Sequence, residues 1–226
     1  MNFKMNPNFI ITFLLVFTLF GCKNPNTFSD YKYSNKPKTI TCDGVNPKLY
    51  NEALYSFEED ILNYYKKTNP KSTLVNAYSQ FIRTSIYGKL KYEDIISEHT
   101  LKVFEALKDE SNLWDAGNPR SYLNYSGSVL KCVSDNIEDQ PLKTTFNALL
   151  STNSMSPKLF GTPLLSKYRL ALKDKHLATY IALDLFYAKL FKLDFSKATF
   201  DKQEQKVDFN KTPEAPKSNT HAGHNN

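Results

Sequence analysis

Between Asn46 and Phe191 apolar residues return at steps of three and four, the period of a helix that buries one face. Asn46-Pro47 reads as an N-cap followed by proline at the first helical position. The stripe Tyr50, Ala53, Leu54, Phe57, Ile61, Leu62 and Tyr65 then predicts a first helix that stops before Asn69-Pro70. A second helix is predicted from about Thr73 to Tyr87, with Leu74, Ala77, Phe81 and Ile82 inward and Gly88 placed to end it. The third runs from about Tyr92 to Lys108 on Ile95, Ile96, Val103, Phe104 and Leu107, and the fourth from Ser121 to Asn136, interrupted near Gly127. Pro141 opens a fifth, Leu142 to Leu150. Ser156-Pro157 and Thr162-Pro163 read as two more cap-plus-proline starts, the second leading into Leu164 to Leu172. The last helix, about His176 to Phe191, is apolar on almost every side and so belongs in the middle of the structure.

Outside this span the period disappears. Residues 22–44 are rich in Asn, Pro, Lys, Ser and Tyr and read as a flexible N-terminal tether. Residues 196–226 hold too few apolar side chains to offset the entropy of ordering them and read as a disordered tail. The expected fold is therefore all-α: a single compact bundle of about six or seven helices over residues 45–195. Composition agrees, since seven Gly against sixteen Phe and fourteen Tyr is a poor fit to the turn-rich pattern of a β-sandwich or barrel.

The N-terminus reads as an address rather than a fold element. A short region carrying Lys4 precedes the apolar run Ile10 to Phe20, about half the ~20 residues that a membrane-crossing helix needs. Leu19-Phe20-Gly21-Cys22 at its end resembles the lipobox of bacterial lipoprotein precursors. The resemblance implies that residues 1–21 are a signal peptide removed in front of Cys22, whose sulfur carries diacylglycerol. It implies three acyl chains on the mature residue and an effectively permanent membrane anchor. Lys23, where that family's sorting rule places Asp for inner-membrane retention, implies the outer membrane of a Gram-negative cell. Without an acidic cluster after the cysteine, the periplasmic leaflet is the expected location.

Charge narrows the choice of partner. The chain carries 29 basic and 23 acidic side chains, a formal net charge of +6. The excess is spread along the sequence, whereas nucleic-acid binding wants a concentrated basic face, so no nucleic-acid partner is expected. With Cys22 assigned to lipid, Cys42 and Cys132 remain; an oxidising envelope favours a disulfide between them, with two buried thiols as the competing reading.

Signatures of chemistry are sparse. Ser128-Val-Leu-Lys131 and Ser134-Asp135-Asn136 match two motifs of penicillin-binding proteins, but their spacing is wrong and no Lys-Thr-Gly follows, so coincidence is the better reading. His99 falls on the inward stripe of the third helix, where a histidine is more often hydrogen-bonded within the core or its rim than a ligand. Asp184 lies in the apolar last helix and must find a partner or mark a cavity; an ion pair with Arg83 or Arg169 is weighed against a ligand contact. His221 and His224 in the tail form an incomplete metal site, and Glu58-Glu59-Asp60 reads as a solvated face. The tyrosines at helical spacing read mostly as core or rim. No metal, cofactor or catalytic set is expected. The resulting expectation is a lipid-anchored envelope protein that binds a partner protein or envelope polymer. The alternative is an envelope hydrolase acting on cell-wall or polysaccharide material.

Overall fold

The computed structural model describes residues 28–195, and within them the chain is an all-α bundle without strands. The signal peptide, Cys22 and the tail from 196 to 226 lie outside the described residues.

Helix α1 is Pro47–Thr68, capped by Asn46, whose side chain accepts from the amides of Lys48 and Leu49. It buries the predicted stripe from Tyr50 to Tyr65. Helix α2, Leu74–Ile86, is capped by Thr73 and closed by Gly88, whose left-handed φ of 64° lets the Lys89 amide turn back to the Thr84 carbonyl. Helix α3 is Glu98–Lys108, shorter than expected. Tyr92–Asp94 makes only a 3-10 turn, and the chain breaks over Ile95 and Ile96. The cause is tertiary: the Ser97 amide donates to the Asp60 carboxylate at 3.0 Å instead of to a carbonyl one turn back, and the Ser97 hydroxyl caps the new start at Thr100.

Helix α4, Ser128–Asn136, also starts late. Residues 122–124, expected to be helical, pair with 113–115 instead: Asp115 N donates to Tyr122 O at 2.7 Å and Asn124 N to Leu113 O at 2.9 Å. Gly127 precedes the helix because a Cβ there would stand 2.4 Å from the Asn112 carbonyl oxygen. Helices α5, Gln140–Ser151, and α6, Pro157–Lys167, are capped by Asp139 and Ser156. Thr162-Pro163 does not begin a helix as expected. Pro163 sits inside α6, where it withholds a donor from a single carbonyl while the helix continues around it.

The chain then passes through a 3-10 turn, Tyr168–Leu172, into helix α7, Lys175–Tyr180, capped by Asp174. It runs without a break into a π-helical stretch, Ile181–Tyr187, and a closing turn, Ala188–Leu190. Every residue of Ile181–Tyr187 is buried, so the most apolar segment does occupy the centre. Phe186 packs on Phe57 at 5.4 Å, Tyr187 on Phe104 at 6.4 Å and Tyr180 on Phe146 at 4.8 Å, joining α1, α3 and α5 to this axis.

The domain begins earlier than its hydropathy predicts. Residues 28–43, expected to be part of the tether, lie along α1 with Thr39 and Ile40 buried. The Asn51 amide oxygen accepts from Thr39 N at 2.7 Å, and Tyr55 OH donates to Pro37 O at 2.9 Å. A disulfide between Cys42 and Cys132, with their Cα atoms 5.9 Å apart, fastens this segment to α4. The cysteine pairing expected from the sequence is thus present in the fold.

Candidate functional site

Two polar centres stand out against the aromatic core, and each is built by one of the residues singled out in the sequence. The first surrounds Asp184, on the π-helical stretch and wholly buried. Its carboxylate accepts from Ser121 Oγ at 2.5 Å, from Tyr180 OH at 2.7 Å, and from Tyr125 OH at 3.1 Å to both oxygens. The expected ion pair is corrected here, since neither Arg83 nor Arg169 is among these partners. Tyr180 lies four residues earlier on the same helix, while Ser121 and Tyr125 come from the loop before α4. Burial pushes the Asp184 carboxyl above its usual range, partly offset by the Ser121 and Tyr180 hydroxyls and by the Lys189 charge. The Tyr125 and Tyr180 phenols are raised by the same burial and by the carboxylate they face.

The second centre surrounds His99 on the first turn of α3. Its Nε2 lies 2.6 Å from Glu52 Oε1 on α1, and its Nδ1 lies 3.4 Å from Asp30 Oδ2 on the N-terminal segment. Glu52, fully buried, also accepts from the backbone amides of Lys32 and Tyr33 at 2.7 and 3.0 Å. Tyr33 OH donates to Glu59, and its ring approaches His99 at 6.0 Å. His99 is therefore a hydrogen-bonded rim residue that pins the incoming chain, in keeping with the bland alternative weighed for it.

Glu58-Glu59-Asp60 departs from the expected solvated face. Only Glu59 is exposed. Glu58 accepts from Tyr78 OH at 2.9 Å and pairs with Lys175 at 3.3 Å. Asp60, between α1 and α3, has its carboxyl pushed up to about 6 by burial, against the lowering effect of bonds from Thr100 and Ser97. Glu52, Ser56 and Asp60 form an i, i+4 series down a second face of α1, with small Ser56 in its middle. That spacing was available in the sequence and escaped notice because a charged stripe ordinarily faces water.

Elsewhere the motif residues have ordinary work. Lys131 pairs with Asp135 on the surface at 2.8 Å and Ser134 Oγ donates to the Lys131 carbonyl, so the Ser-x-x-Lys resemblance carries no site geometry. Tyr50, Tyr78, Tyr180 and Tyr187 are core, whereas Tyr87 is 62% exposed. Among the described residues no cluster of three or more His, Cys, Asp or Glu side chains is arranged to hold a metal ion. None of the described helices is long and apolar enough to cross a membrane. His221 and His224 lie outside the described residues. Asp184 and His99 belong to separate centres, each closed by the protein's own donors and acceptors. No protein-family model, curated protein or solved structure matches this chain.

Proposed function

We propose that this is a lipoprotein of the Gram-negative outer membrane, anchored through acylated Cys22 and facing the periplasm. Its helical domain works as a binding or scaffold module for a partner protein or an envelope polymer. The observation that carries the reading is Leu19-Phe20-Gly21-Cys22 directly after the apolar run Ile10 to Phe20. The Cys42–Cys132 disulfide supports it, because such bonds persist in oxidising compartments. The choice of binding over hydrolysis is supported by the two centres. A hydrolytic site would bring its acid and base to one accessible cleft, whereas Asp184 is buried among hydroxyls and His99 is engaged with Glu52 and Asp30.

The test is mass spectrometry of the protein purified from its own envelope, followed by crosslinking and pull-down. The expected product begins at Cys22, bears diacylglycerol on its sulfur and brings down a specific protein or glycan. An unmodified Cys22 thiol, or a product recovered in the soluble fraction, overturns the anchoring. Turnover of a cell-wall polymer by the purified protein overturns the binding role.

A further inference from the structure

We infer that the domain does not hang from a long leash but lies against the membrane itself, with the face formed by residues 28–48 and the first turns of α1 resting on anionic headgroups. This rests on the acylation of Cys22 proposed above. Residues 22–44 would make a generous tether if all were free, but the chain is already fixed to the domain at Phe28. Phe28 stacks edge-on with Tyr31 at 5.0 Å and lies 6.2 Å from His99, and the next residues are held by the two amide bonds to buried Glu52. Further along, Asn51 and Tyr55 hold residues 36–39, and the disulfide holds Cys42. The stretch from Cys22 to Phe28 spans at most about 20 Å even when fully extended, less than the width of the domain it would have to clear.

The charge on this face suits that neighbour. Lys36, Lys38 and Lys48 are exposed. Lys48 lies one turn before Asn51 and two before Tyr55 on α1, the two residues that hold residues 36–39, so the three lysines share a face. Lys175 adds a fourth cation against the Tyr55 ring at 5.5 Å. Of the acidic residues on the same segment, Asp30 is engaged by His99 and Asp43 sits beside the disulfide. Lysines near an anionic leaflet each contribute roughly a fivefold gain in surface residence.

The experiment uses the acylated full-length protein in vesicles of phosphatidylethanolamine and phosphatidylglycerol, with flotation and amide hydrogen exchange read together. The reference is the Cys22→Ser protein in solution. The expected result is flotation, with amide exchange slowed about fivefold or more at residues 34–38 and 43–48 and unchanged at residues 69–73 and 152–155. The triple variant Lys36→Glu, Lys38→Glu, Lys48→Glu is expected to float but to lose most of the slowing. A protein that floats without slowing at 34–38 and 43–48, or a triple variant that keeps it, overturns this inference and leaves the anchor intact. Failure to float, with no lipid on Cys22 by mass, overturns the anchor and this inference with it.

Discussion

Replacing Asp184 by Ala removes the acceptor shared by Ser121, Tyr125 and Tyr180. Two of these donors are buried deeply, with Ser121 at 5% and Tyr180 at 0% exposure. A buried donor left without a partner costs about 1–3 kcal/mol, and the half-buried Tyr125 recovers part of its loss by hydration. The expected destabilisation is therefore about 3–5 kcal/mol, a large share of the ~5–15 kcal/mol typical of a domain, with a fall in Tm of about 10 °C. Asp184→Asn keeps the shape and one acceptor oxygen, and its amide can donate to a hydroxyl, so about 1–2 kcal/mol is expected. The two variants also differ from the native protein in their response to pH. Burial raises the Asp184 carboxyl above its unfolded value, so the native protein gains stability from this group in acid and loses that gain as pH rises through the folded value. The deficit of Asp184→Asn is thus greatest in acid and shrinks toward neutrality. Urea unfolding followed by circular dichroism across this range, with the disulfide intact, reads both quantities. An Asp184→Ala protein within about 1 kcal/mol of native would refute the claim that the three hydroxyls depend on this carboxylate.

Two more outcomes follow from the same geometry. The Cys42–Cys132 bond joins residues separated by 90 positions, and opening so long a loop is expected to lower stability by about 4 kcal/mol; urea midpoints with and without reductant, compared with Cys42→Ala/Cys132→Ala, measure it. Asp60, raised to about 6, stabilises the fold fully below the ordinary carboxylate value of about 3.9 and loses that contribution as pH climbs through about 6. Asp60→Asn is expected to flatten the fall in stability over this window, and an unchanged slope would show that another group controls it.

The parts of the fold that depend on neighbours in sequence were legible. Asn46-Pro47 and Ser156-Pro157 begin helices as their capping chemistry dictates, and the segment from Leu177 to Leu190 lies at the centre because it has no polar side to turn outward. The disulfide was reachable by counting cysteines. What was hidden depends on partners distant in sequence. Asp60 captures the Ser97 amide and postpones α3, residues 113–115 divert 122–124 from α4, and the N-terminal segment covers a charged stripe that would otherwise face water. Asp184 was recognisable as anomalous from its apolar surroundings. Its partners were not, because Ser121 and Tyr125 reach it from a loop some sixty residues away.

The widened turns at Ile181–Tyr187 bear on how this protein tolerates changes of length. A π-helical stretch fits one more residue into a rod than the ordinary coil would, so deleting a single amino acid there would let the backbone relax to the common pitch. It would also swing everything after the deletion by about 100° around the axis. Leu190 and Phe191 would leave the sockets made by Phe104 and Trp114, and the Asp184 oxygens would turn from their hydroxyls. Length variation among descendants of this sequence should therefore gather in its surface bends and spare its last helix.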